Sequence, residues 1–279
     1  MKFKRKVLTL TAVFAAALAL VLYPFFANIH NNRVAQELIA AYEDSVSEIS
    51  EETYEEQMAL ALAWNQSLAA AGGALYGELE DGTQYEELLN LSGNGVMGYI
   101  EIPKIGVSLP IYHYTTDEVL AKGVGHMESS SLPVGGDSTH CILTGHRGLP
   151  GSKLFTDLDQ LEIGDIFYIY VFGEILAYEV TEIQVVEPED VDSLKTVQGE
   201  DLCTLVTCTP YGINSHRLLV TGTRTEYDAE NGTASAQGYT ITTVRDSMLL
   251  YAAAAEAAAY CLALLVLARR NRRGTEEQG

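Results

Sequence analysis

Hydrophobic positions recur along the chain in three rhythms, and each predicts a different kind of element. Val7 to Ala27 is an uncharged run of about 21 residues, long enough as a helix to cross a bilayer. Met248 to Ala268 is a second such run, rich in alanine and interrupted by Glu256. After the first run, residues 28–70 are rich in Glu and Ala. They place Val34, Leu38, Ala41, Tyr42, Val46 and Ile49 at helical spacing, which predicts an amphipathic helix or helix pair. From Gly98 the rhythm changes to short β-rich runs over 98–102, 108–113, 140–145, 165–173, 175–187, 202–208 and 216–223. Many short strands with turns between them and little helix predict a mainly β fold closed into a barrel-like sheet.

Composition shifts mark the joints. Residues 71–96 form an acidic connector punctuated by glycine, and residues 226–247 a polar tether rich in Gly, Ser and Thr. The expected organisation is a cytoplasmic end and anchor (1–27), a helical juxtamembrane segment (28–96), one β domain (97–225), the tether (226–247), a second span (248–268) and a cytoplasmic tail (269–279).

Charge sharpens this picture. Lys2, Lys4, Arg5 and Lys6 precede the first apolar run, and Arg269, Arg270, Arg272 and Arg273 follow the second, which places both termini in the cytoplasm. Residues from about 28 to 247 are then outside the cell membrane. No Ala-x-Ala-like cleavage site follows the first run, around Phe25–His30, which favours a retained anchor over a cleaved signal. Glu256 is costly at the centre of a span, so a C-terminal helix lying on the membrane or on the domain is the alternative. The net charge is −21, and eight of the 17 lysines and arginines lie in those two ends. So acidic an outer domain is repelled by nucleic acid, which excludes a nucleic-acid partner.

The candidate chemistry sits at strand ends. In Thr204-Leu-Val-Thr-Cys-Thr-Pro-Tyr-Gly-Ile-Asn-Ser-His-Arg-Leu-Leu-Val220 an apolar strand carries Cys208 to a Pro/Gly/Asn turn, and the returning strand begins with Arg217. A hairpin brings guanidinium and sulfur to the same end of a sheet, and a neighbouring cation favours the thiolate that attacks. The proton donor is expected at His146, where the run Cys141-Ile-Leu-Thr-Gly-His146 stops between glycines. His216 alternates to the other face of its strand and is assigned to structure. His113, His126 and His140 have no partner at metal-ligand spacing, so neither a metal nor any other cofactor is expected. Cys141, Cys203 and Cys261 form no C-x-x-C pair with each other or with Cys208. Cys261 reads as a small apolar residue of the second span. Cys141 and Cys203 are either two buried thiols or, if their strands are neighbours, a disulfide favoured by the oxidising exterior.

Together Thr144-Gly-His-Arg-Gly148 and the Cys208 segment resemble a sortase, and more narrowly a class C, pilin-polymerising sortase. The resemblance runs from about Met97 to Arg224. It includes Met97-Gly-Tyr-Ile-Glu-Ile-Pro-Lys-Ile105, Leu109-Pro-Ile-Tyr-His113, Gly123-Val-Gly-His126, Ser131-Leu-Pro-Val-Gly-Gly136 and Leu154-Phe-Thr-Asp-Leu158. It implies a sortase-type β-barrel with short helices and a catalytic set of His146, Cys208 and Arg217. It also implies a partner protein whose C-terminal Leu-Pro-x-Thr-Gly-type signal is cut between Thr and Gly through a Cys208 thioester. The acceptor would be an amine: a pilin lysine in a class C enzyme, or a cell-wall peptide in a housekeeping one. A Gram-positive host, also implied, leaves the Asn-x-Ser/Thr triplets at Asn65, Asn90 and Asn231 without significance. The chain departs from the class in one respect: the Asp-Pro-aromatic lid motif is absent, so Leu75–Asp81 or Tyr85 stands as a divergent lid, or no lid exists. The Ser-His-Gly-Cys signature of the L,D-transpeptidases is also absent. A non-enzymatic surface scaffold remains the other reading.

Overall fold

The computed structural model describes residues 2–70, 85–227 and 244–276. The chain divides into two units, one of Met1–His30 with Thr240–Gly279 and one of Asn31–Tyr239. Helix α1 (Lys2–Glu48) contributes to both and continues through Pro24 from the apolar run into the amphipathic one.

In the terminal unit, α1 and helix α4 (Val244–Glu276) each contain a segment long and apolar enough to cross a membrane, within Phe3–Glu48 and Tyr251–Arg269. Phe14 stacks on Tyr260 at 4.2 Å between ring centroids, and the Tyr260 hydroxyl lies 2.7 Å from that of Thr11. One carboxylate oxygen of Glu256 is buried with no hydrogen-bond partner among the described residues.

The larger unit is built around a closed eight-stranded barrel in the order β1-β2-β3-β4-β7-β8-β6-β5. Its strands are β1 (Val96–Ile102), β2 (Val107–His113), β3 (Val124–His126), β4 (Thr139–Thr144), β5 (Ile166–Val171), β6 (Glu174–Val186), β7 (Asp201–Thr209) and β8 (His216–Thr225). A one-turn helix α3 (Asp117–Leu120) precedes β3, capped by the Thr116 hydroxyl. The short β-rich runs anticipate seven of the eight strands. The three residues of β3 are too short to show a period and are strand only because β2 pairs with them in parallel on one side and β4 antiparallel on the other.

Helix α2 (Glu51–Ala70) is separated from α1 by a break that Ser50 caps, its Oγ accepting from the Thr53 N–H at 3.1 Å, with Glu51 and Glu52 favourably placed in the first turn. The buried face of α1 is Ala35, Ile39 and Tyr42, with Leu38 and Val46 beside it. Val34, expected in the stripe, is exposed instead; the contact stripe is set by where Val96, Tyr99 and Tyr112 of the barrel wall lie. The Tyr42 hydroxyl donates to the Met97 carbonyl at 3.0 Å and accepts from the Phe172 N–H at 2.8 Å, fixing α1 to the barrel. Helix α2 sends Ala61, Trp64 and Leu68 into the main core with Tyr85 and Leu88.

Candidate active site

Strand alternation divides β7 into two rows of side chains. Cys203 and Leu205 enter the barrel core, whereas Val206 joins Ile142 and Leu219 in a separate apolar cluster on the other face. Cys208 has the parity of Thr204 and Val206, so it continues that second row. Cys208 is paired with Arg217 across the antiparallel β7–β8 ladder, as Val206 is with Leu219 and Thr204 with Thr221. Residues directly opposite in such a ladder have Cα atoms about 4.5–5.5 Å apart and side chains on one face. The half-buried Cys208 thiol and the Arg217 side chain therefore share one end of the barrel. Arg217 Nη1 donates to the main-chain carbonyls of His216 at 3.2 Å and Asn214 at 3.4 Å, which holds the guanidinium back against its own turn.

His146 reaches the same end by a different route. Strand β4 pairs with β7 in parallel, Cys141 opposite Cys203 and Thr144 opposite Val206, so both strands run out at the same edge. The pairing continues past the last strand residue, with the Gly145 N–H donating to the Val206 carbonyl at 3.0 Å. The half-buried His146 follows, its carbonyl accepting from the Phe155 N–H at 3.1 Å. A Cβ at Gly145 would lie 2.7 Å from the Phe155 ring, so the segment Leu154–Leu158 packs directly behind the histidine and only glycine leaves it room.

The four remaining histidines of the barrel are engaged in structural contacts. His216 faces Glu187 at 3.2 Å and the Ser215 hydroxyl at 2.8 Å. His140 points Nδ1 at the Lys195 carbonyl (2.9 Å) and Nε2 at the Thr204 hydroxyl (2.7 Å), and burial holds its pKa below the ordinary value. His113 sits between the carbonyls of Leu88 (2.8 Å) and Gly95 (3.1 Å), its pKa likewise lowered by burial. His126 accepts from the Tyr85 hydroxyl at 2.6 Å while Nε2 faces the Ser131 carbonyl at 2.8 Å. Among the described residues no group of three His, Cys, Asp or Glu side chains is gathered to hold a metal.

Cys141 and Cys203 are neighbours in register, and both are free, buried thiols rather than a disulfide. Burial pushes the Cys203 thiol well above its ordinary pKa. The possible lid at Leu75–Asp81 lies outside the described residues. Tyr85 is no lid: it is buried in the core, tilted against Trp64 and stacked on His126, and burial raises its phenol pKa. An aromatic side chain so enclosed cannot also cover a thiol on the opposite face of the sheet.

Sequence reading missed the side chains flanking His146 and Cys208. Arg147 Nη1 donates to the Thr209 hydroxyl at 3.1 Å, Arg147 Nη2 pairs with Asp159, and the Thr207 hydroxyl donates to the Gly145 carbonyl at 2.7 Å. Their partners are far off in sequence, and no local pattern signals them.

A Sortase domain family model matches residues 100–225. Sortase C1 of Streptococcus agalactiae is 45% identical in sequence, with a TM-score of 0.66 over 69% of this chain and 100% of that one. Sortase C-1 of Streptococcus pneumoniae is 43% identical, with a TM-score of 0.62 over 69% of this chain and 100% of that one. Among curated relatives, Sortase A of Streptococcus agalactiae serotype III is 33% identical over 117 residues, 41% of this chain and 47% of that protein. The chain thus spans about half the length of that relative, and 63% of Sortase D of Bacillus subtilis, to which it is 31% identical over 131 residues, 46% of this chain. With the barrel and the Cys208, Arg217 and His146 strand ends in place, the chain belongs to the sortase family, the cysteine transpeptidases.

Proposed function

We propose that this protein is a membrane-anchored class C sortase that joins pilin subunits. The observation that carries this reading is the register of Cys208 with Arg217, at the edge where the parallel strand β4 delivers His146. In the proposed reaction the Cys208 thiolate attacks the carbonyl carbon of Thr in a Leu-Pro-x-Thr-Gly-type signal. Arg217 hydrogen-bonds the substrate backbone or the oxyanion, which a main-chain N–H beside Cys208 also stabilises. His146, as imidazolium, gives its proton to the Gly nitrogen as the Thr–Gly C–N bond breaks, leaving a thioester. Neutral His146 then takes a proton from the incoming amine, the new amide C–N bond forms, and sulfur leaves as thiolate. No cofactor enters the scheme.

The acceptor assigned here is a pilin lysine, which yields an isopeptide-linked polymer. The likeness to C1 sortases over their full solved length supports this choice, one solved relative being described as sortase C1 of a pilus island. The two apolar helices, each with basic residues at its outer end, support two spans, cytoplasmic termini and an outward-facing barrel. The deciding experiment supplies the purified protein with a sorting-signal peptide and, in competition, a lysine-bearing pilin domain and a cell-wall peptide amine. Mass spectrometry should show the peptide on Cys208 and then on the pilin lysine. Transfer to the wall peptide alone would make this a housekeeping-type enzyme, and no adduct at all a scaffold.

A further inference from the structure

The β4 and β7 ends are tied together on both sides of the residues proposed to react. One position before each, the buried Thr207 hydroxyl donates to the Gly145 carbonyl at 2.7 Å. One position after each, Arg147 Nη1 donates to the Thr209 hydroxyl at 3.1 Å. The second arm of the guanidinium pairs with Asp159 on the helical turn Leu158–Gln160, which directly continues the segment that packs behind His146 through Phe155. We propose that Arg147 is a positioning residue: bridging Thr209 and Asp159, it fixes the separation between His146 and Cys208.

Three features argue against an incidental surface ion pair. The Arg147 side chain is only 7% exposed, and its Nε is buried with no hydrogen-bond partner among the described residues. Burying a guanidinium so far is costly unless its geometry is used, and an exposed pair contributes little. The fork also suits the task, since one planar group satisfies two fixed partners at once, which an ammonium cannot do. Finally, Thr209 is where β7 loses its support: it makes the last ladder pair, with His216, and Pro210 has no N–H to extend the ladder. Without the bridge, the strand end carrying Cys208 is tied to the His146 segment only on the side before the two residues, through Thr207 and the Gly145 N–H bond to the Val206 carbonyl, among the described residues. The hydrogen-bonded partners of the guanidinium are Thr209 and Asp159, so Arg147 acts through the neighbours of the reacting residues and not on the reacting atoms.

This inference rests on the catalytic roles proposed above, and the test separates the two. Thr209→Val removes the bridge with little change of shape, whereas Thr209→Ser keeps it; Arg147→Lys keeps the charge but not the fork. Single-turnover acylation by a sorting-signal peptide is followed for each, with circular dichroism and thermal melting as checks of folding. A small misplacement of reacting groups is expensive, so Thr209→Val should lower the acylation rate about ten- to a hundredfold with KM nearly unchanged and the melt preserved. Thr209→Ser should restore it. The Arg147→Lys/Thr209→Val double variant should be no slower than the slower single one, because each substitution breaks the same bridge between Thr209 and Asp159. Near-normal acylation by folded Thr209→Val, or an additive double variant, overturns the positioning role. If His146→Ala or Cys208→Ala still acylates, it is the catalytic assignment that fails.

Discussion

Asn65 and Leu132 pair as two peptide groups would: the Asn65 Oδ1 accepts from the Leu132 N–H at 2.7 Å, and Nδ2 donates to its carbonyl at 3.2 Å. The amide is buried, so a helix outside the barrel pairs the Leu132 N–H and gives its carbonyl, which also accepts from the Val134 N–H at 2.8 Å, a second donor. The same burial removes Asn65 from any role as a surface triplet. Asn65→Ala leaves the Leu132 N–H unsatisfied, while the carbonyl keeps its bond from Val134, and should destabilise the domain by about 1–3 kcal/mol. Asn65→Asp should also be costly, because a carboxylate cannot donate to the Leu132 carbonyl. Urea denaturation of the two variants beside the parent checks both expectations.

The buried His140 predicts an acid-sensitive fold. Its pKa is depressed below the ordinary 6.5 by burial, so the unfolded chain takes up a proton at a pH where the folded chain resists it. Stability from this group is therefore complete above about pH 6.5 and declines as the pH falls below that value. His113 adds a contribution of the same sign. Denaturation midpoints measured between about pH 7 and about pH 5 should fall, and His140→Gln should make the fall shallower.

The proposed nucleophile separates cleanly from the other barrel thiols. Cys208→Ala should abolish thioester formation with a sorting-signal peptide, whereas Cys141→Ala and Cys203→Ala, which alter only the opposite face of the sheet, should keep most of it. Arg217→Lys should be damaging, since an ammonium does not reproduce the planar fork. Intact-mass detection of the acyl-enzyme reads all four variants.

Without the Asp-Pro-aromatic motif, the connector should cover the thiol weakly. Removing residues 73–84 spares the buried Tyr85, Leu88 and Leu89 and should change the rate of Cys208 alkylation only slightly. An increase of tenfold or more, equivalent to about 1.4 kcal/mol of closed-state preference, would show that the connector closes over the site.

The proposed membrane topology rests on the basic flanks of the two apolar helices. A reporter fused after Gly279 should be cytoplasmic, and one inserted near Asn231 should be outside. An external C-terminal reporter would mean that α4 does not cross and that Glu256 prevents it.

The local rhythms of this chain already decide a good deal. Short β-rich runs bounded by turn residues define seven strands, and the Pro210–Asn214 turn fixes Cys208 opposite Arg217, because a hairpin is specified within a few residues of sequence. Long apolar runs likewise define the two apolar helices. What only the tertiary structure decides is contact across long stretches of chain. His146 meets the level of Cys208 because β4 and β7 pair in parallel after the excursion through β5 and β6, and no neighbouring residues encode a parallel crossover. Strand β3, the buried face of α1, the Asn65 clasp on Leu132 and the Arg147 bridge to Thr209 have the same origin. Each is set by the surface that barrel closure presents to it, and a single element's periodicity carries no record of that surface.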